Sequence, residues 1–214
     1  MTLPTGMSEP ARFEAALRRF DEENARDPNV ETVDGQPHPR ELVYARRLTD
    51  WVLRLRPDAS ESLQLAARCQ HLGRWLIPRE SYPMTRPGYL KWREDLKRFH
   101  AEHAGQILRE AGYPDETVQR VQALNLKRDL AHDAECQTLE DALCLVFLQF
   151  QLADLVQKTD EARVTNALQK SWKKMSPQAR AEALKLPYPP REQALLDRAL
   201  GGGQPRGKPP HPTG

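Results

Sequence analysis

The sequence predicts an all-α fold on two observations. Apolar residues recur at intervals of three and four through most of the chain, and period-two alternation of β-branched residues is nearly absent. A chain of 214 residues is long enough to bury one core without disulfides or metal. The expectation is therefore a single helical-bundle domain over residues 9–200, between a short disordered N-terminus (1–8) and a Gly/Pro tail (201–214) unable to bury a core. A mean hydropathy of -0.73 and 18 prolines imply a polar surface and long connections.

Composition narrows the class of function. A net charge of +2, with arginines scattered and no dense basic run, disfavours a nucleic-acid partner. Three cysteines, Cys69, Cys136 and Cys144, form no CxxC pair and are odd in number, which points to reduced thiols in a cytoplasmic protein. No window approaches the roughly 20 apolar residues that span a bilayer, so no membrane partner is expected.

The elements follow in order. A first helix over Ala11 to about Ala25 buries Phe13, Ala16, Leu17 and Phe20, and a loop with Asp27, Pro28, Asn29 and Gly35 follows. After Pro39 a second helix carries Leu42, Ala45, Leu48, Val52 and Leu55 and stops at Pro57. Asp58 and Glu61 have capping-box spacing for a short apolar helix through Leu63, Ala66, Ala67 and Leu72. Ile77 to Gly88 holds three prolines and reads as an irregular surface excursion of the kind that shapes pockets. A long helix from about Tyr89 to Glu110 and a shorter one from Pro114 to Leu126 come next. Thr138 is the expected N-cap of an apolar helix over Leu139 to Lys158, with Leu143, Val146, Phe147 and Phe150 inward. Short helices fit 161–174, Ser176 to Leu186, and 191–199.

At 3.6 residues per turn, four of these helices carry a polar residue on an apolar face. Glu41 heads the stripe of Ala45, Leu48 and Val52; His71 follows Leu63 and Ala67; His100 and His103 sit between Leu96 and Ile107; Asp154 continues Leu143, Phe147 and Phe150. Burying an unpaired carboxylate costs several kcal/mol, so such groups are paired, hydrogen-bonded or bound to a cation. One divalent ion (Mn, Fe, Ni or Zn) held by Glu41, His71, His100 and Asp154 would compensate them, with His103 as acid-base partner or substitute ligand. Taken singly, each residue also fits a structural role: a helix-dipole acid at Glu41, hydrogen-bonded core histidines, an arginine partner for Asp154. Arg74, Arg79, Arg93 and Lys97, interleaved with Tyr89 and Trp92, suit a phosphate-bearing small molecule, because guanidinium forks bind phosphate oxygens and aromatic faces stack a base or sugar.

The segment Ala66 to Trp75, containing His71-Leu-Gly-Arg, resembles the central signature of the HD-domain metal phosphohydrolases. The helix with His100 and His103 resembles that superfamily's later histidine helix, and Phe150-Gln-Leu-Ala-Asp154 its closing Ala-Asp helix. Leu72 stands where the superfamily has Asp, and Glu41 where it has its first histidine, so the resemblance implies one ion, or none, rather than two. Over about residues 12–186 the chain resembles more closely a family catalogued as domain of unknown function 4202. That likeness runs through Gln70 to Trp75, Ile77 to Arg79, Tyr82 to Met84, Gly88 to Arg93 and Gln137 to Phe147.

Together these readings give a first expectation of a metal-dependent hydrolase of a phosphoester such as a nucleotide, with Arg74 and His103 as catalytic partners and Arg74, Arg79, Arg93, Lys97, Tyr89 and Trp92 binding substrate. The alternative is a catalytically silent HD-like module that binds a nucleotide or a partner protein.

Overall fold

Where the sequence offers helical spacing and good caps, helices form. The computed structural model describes residues 9–201, so the disorder expected for residues 1–8 and for the tail beyond Gly201 lies outside the described residues. Among the described residues the structure is 72% helical, with ten α-helices and short 3-10 and π turns, and the sole sheet is a two-stranded hairpin. The all-α expectation is met, and none of these helices is long and apolar enough to cross a membrane. They group into two compact units that divide between Leu143 and Cys144, within one helix.

In the first unit, α1 (Glu9–Asn24) buries Ala16 and Phe20. The following loop contains a hairpin that helical reasoning misses: β1 (Val30–Val33) pairs antiparallel with β2 (Gln36–Pro39). Its turn is Asp34-Gly35, both at positive φ (49° and 78°), the mirror-image turn that an Asp-Gly pair favours. Pro37 and Pro39 lack the N–H a strand donates, which hides β2 from a sequence reading.

Helix α2 (Arg40–Leu55) follows at once and ends at Arg56, since the residue before Pro57 avoids helical backbone. Helix α3 (Glu61–Arg68) starts two residues later than the Asp58 spacing suggests: Ser60 is the cap, its hydroxyl accepting from Leu63 N–H. It stops at Arg68, before the expected Leu72, and the chain turns through Gly73 at φ 68°.

Helix α4 (Arg86–Glu110) begins at Thr85, which caps Gly88 N–H, and terminates in Gly112 at φ 81°, with Tyr113 N–H returning to Leu108 O. Helix α5 (Asp115–Leu126) closes on Lys127, also left-handed at φ 54°. Helix α6 (Ala134–Val146) starts a turn before Thr138 because Asp133 Oδ1 accepts from both Glu135 and Cys136 N–H, leaving the Thr138 hydroxyl to bond Ala134 O. Helix α1 packs on α2, α3 and α4, and α5 packs on α3 and α4, around Phe20, Leu48, Leu63, Leu65, Leu108 and Leu124.

In the second unit a π-helical turn over Phe147–Gln151 leads into α7 (Leu152–Lys158). A wide turn of this kind advances the helix face by about one residue, roughly 100°. The buried line is Leu145, Leu148, Leu152 and Val156, at spacings of three and four, and Phe150 faces out. Helices α8 (Glu161–Lys174), α9 (Pro177–Ala183) and α10 (Pro190–Ala199) complete this unit, with α8 and α9 capped by Asp160 and Ser176.

Candidate functional site

The site grows from the start of α2. Asp27 accepts the backbone N–H of Glu41 at 3.1 Å, fixing the first turn so that the Glu41 carboxylate is buried. One turn on, the Tyr44 ring stacks on His71 at 4.1 Å between centroids and 9° between planes. His71 lies in the turn after α3 rather than on a helix stripe, which is what frees its ring to reach α2. Its Nδ1 is 3.1 Å from Glu41 Oε2, and Arg74 Nε is 3.6 Å from the other carboxylate oxygen.

These partners settle the tautomers. A carboxylate only accepts, so His71 carries its proton on Nδ1 and leaves Nε2 with a lone pair. His100, on α4, has Nδ1 2.8 Å from Leu72 O, and a carbonyl likewise only accepts. Its ring is 5.8 Å from that of His71, it is 3% exposed, and its Nε2 is buried without a hydrogen-bond partner. Burial pushes both imidazoles below the ordinary 6.5. For His71, Glu41 opposes the shift while Arg74 and Lys127 add to it; His100 falls to about 3, with the neighbouring His71 charge contributing. Both rings are neutral at pH 7. One turn further along α4, His103 Nδ1 is also buried without a partner, its ring edge-on to Phe99 at 5.5 Å.

Gly73 makes this arrangement possible. It has left-handed backbone, and a Cβ there would lie 3.1 Å from Phe99 and 3.2 Å from His103 Nδ1.

Glu41, His71 and His100 thus come together, but not as a ligand shell. Glu41 is committed to His71 and Arg74, and among the described residues no three of His, Cys, Asp and Glu gather where one ion could hold them. Asp154 belongs to the second unit, where its side chain is 70% exposed and pairs with Lys158 at 2.8 Å. The expectation that it faces inward fails because the buried line of this helix is Leu145, Leu148, Leu152 and Val156, not the Leu143, Phe147 and Phe150 stripe that Asp154 continues. Leu72, at the position the HD resemblance assigns to a ligand, is core.

The basic-aromatic residues divide. Arg74 lies 5.1 Å from the Trp92 ring, Arg79 lies 5.9 Å from Trp92 and 6.0 Å from Tyr89, and Arg93 lies 5.9 Å from Tyr89, so these five form one ladder. Arg79 is turned into its own loop, donating to Tyr82 O at 3.0 Å and Pro83 O at 2.8 Å. With Tyr82 OH on Asp95 and Trp92 Nε1 on Ile77 O, it fastens the excursion to α4. Lys97 pairs with Glu94 at 3.2 Å and lines a groove with Gln122, Leu126 and Arg128 that none of these histidines enters.

Sequence reasoning missed Tyr44, Asp27 and Lys127. Tyr44 alone left a signal, three residues after Glu41 and so on the same helix face.

Searches of curated proteins and of solved structures find no match. The family model described as Domain of unknown function (DUF4202) matches residues 14–196, in accord with the likeness carried by Gln70 to Trp75 and Gly88 to Arg93, and the chain belongs to that family.

Proposed function

We propose that the protein hydrolyses a phosphoester of a small molecule, with His71 as general base. The observation that carries this reading is the Glu41–His71 pair beside Arg74: a buried carboxylate fixes the Nδ1–H tautomer, and burial keeps the ring neutral with a basic Nε2. In this reading His71 Nε2 takes a proton from water as the water oxygen bonds to phosphorus. The ester P–O bond breaks, and the leaving oxygen receives that proton in return. Arg74 balances charge on the phosphoryl oxygens, a task for which a guanidinium fork is suited. The buried, unpartnered Nε2 of His100 is an acceptor for the O–H of a water.

The sequence also raised a divalent ion. Among the described residues no three of His, Cys, Asp and Glu gather where one ion could be held, whereas a catalytic ion such as zinc uses three protein ligands, so no step is routed through one.

The test is phosphate release from a panel of phosphomonoesters and nucleotides by wild type and His71→Asn, with and without chelator. Release that survives chelation and is lost in His71→Asn supports the proposal. Release abolished by chelator would restore the metal-dependent hydrolase. No turnover from any substrate, with phosphate still binding, would favour the silent binding module.

A further inference from the structure

A hydrogen bond fixes one atom of a ring, whereas a stack fixes its plane. The contact of His71 Nδ1 with Glu41 Oε2, at 3.1 Å, leaves the imidazole free to turn about that bond. Tyr44 removes this freedom. It follows Glu41 by three residues on α2, so both groups rise from one face of one helix. Its buried ring lies 4.1 Å from that of His71 between centroids and 9° from parallel. The other imidazole beside His71, that of His100, is 5.8 Å away and tilted by 37°, too distant and too oblique to set a plane. The Nε2 lone pair lies in the plane of its ring, so the stack decides the direction in which His71 presents it.

The stack also distinguishes two charge states. The face of a phenol ring is the negative part of its quadrupole and attracts a cation held within about 6 Å of the centroid. An imidazolium gains more from that face than a neutral imidazole, so the contact strengthens as His71 takes up a proton. An interaction that grows along the reaction lowers its barrier. We propose that Tyr44 is the positioning residue of the His71 base, setting the plane of the imidazole and stabilising the imidazolium formed when it accepts a proton from water. Around the same ring, Glu41 on α2 favours the charge, Arg74 in the turn opposes it, as does the charge of Lys127 at the end of α5, and His100 on α4 is neutral. This inference rests on the reading of His71 as general base.

The experiment follows the His71 ring resonances of full-length protein through pH, together with kcat and KM for phosphate release, in wild type, Tyr44→Phe and Tyr44→Leu. Phe keeps the aromatic face; Leu keeps apolar bulk and helix propensity without it. Tyr44→Met, flexible enough to refill the same space, is the second variant should Tyr44→Leu not fold. The expected result is a Tyr44→Phe protein close to wild type and a Tyr44→Leu protein whose His71 titrates at least about 0.4 pH lower, with kcat down about two- to thirty-fold and KM little changed. A His71 midpoint and kcat in Tyr44→Leu equal to wild type would overturn the inference. So would a loss in Tyr44→Phe as large as in Tyr44→Leu, which would assign the effect to the hydroxyl. A wild type with no turnover on any phosphoester, whose His71 midpoint still falls in Tyr44→Leu, would overturn the hydrolase reading and leave the stack as the group that holds His71.

Discussion

Replacing His100 with Asn separates a titrating imidazole from its hydrogen bond. Asn can keep an N–H near Nδ1 for Leu72 O, but it binds no proton in the acid range. His100 is 3% exposed and its pKa drops from the ordinary 6.5 to about 3, because burial and the neighbouring His71 penalise the charged ring. The native state therefore binds this proton more weakly than the unfolded chain. Stability from this group is complete above pH 6.5 and is lost as pH falls towards 3, at about 1.4 kcal/mol per pH unit. Between pH 7 and pH 4 that amounts to roughly 3 kcal/mol. Urea unfolding of wild type and His100→Asn at both pH values should show wild type losing about that much more than the variant, since other titrating groups are common to both. Equal losses would refute the claim that His100 is held neutral, and with it the electrostatic picture of the site.

Other changes test its neighbours. Glu41→Gln removes a buried charge from the His71 Nδ1 bond, which should weaken that bond by about 1–2 kcal/mol and lower phosphate-release kcat ten- to a hundred-fold; an unchanged kcat would sink the positioning role of Glu41. Gly73→Ala forces a Cβ into left-handed backbone against Phe99 and His103, and unfolding free energy measured in urea should fall by about 2 kcal/mol. Leu72→Asp restores the residue type of the HD resemblance but places a carboxylate in a fully buried site, so it should destabilise the fold by roughly 3 kcal/mol or more; near-wild-type stability would mean the position is not core.

The long helices were legible because their apolar spacing is one-sided. Leu48 and Val52 on α2, and Leu96, Ala104 and Leu108 on α4, lie inward as their positions require. Where a helix is apolar all round, spacing cannot choose a face. That is why Leu143 and Phe147 were expected inward although Leu145 and Leu148 are the more buried, and Asp154, placed in line with Phe147 and Phe150, is exposed as Phe150 is. The hairpin was hidden by its prolines, although Asp34-Gly35 was a readable turn signal. At the site, Glu41, His71 and His100 were found by asking which polar residues fall on apolar faces, and they do meet. What they do to one another was not readable. The proton positions depend on Leu72 O and Glu41, the ring of His71 on Tyr44, and the nearby charge on Lys127, all brought in by tertiary packing.

The central claim is that His71 is a neutral imidazole, protonated on Nδ1 and held by Glu41 with Nε2 open. Nitrogen-15 NMR of the histidine rings across pH 5–8 reads this directly, because the two tautomers and the imidazolium give distinct nitrogen shifts. The expected result is a neutral Nδ1–H ring at pH 7 that titrates below the ordinary 6.5 and whose tautomer preference weakens in Glu41→Gln. An imidazolium at pH 7, or a proton on Nε2, would contradict it.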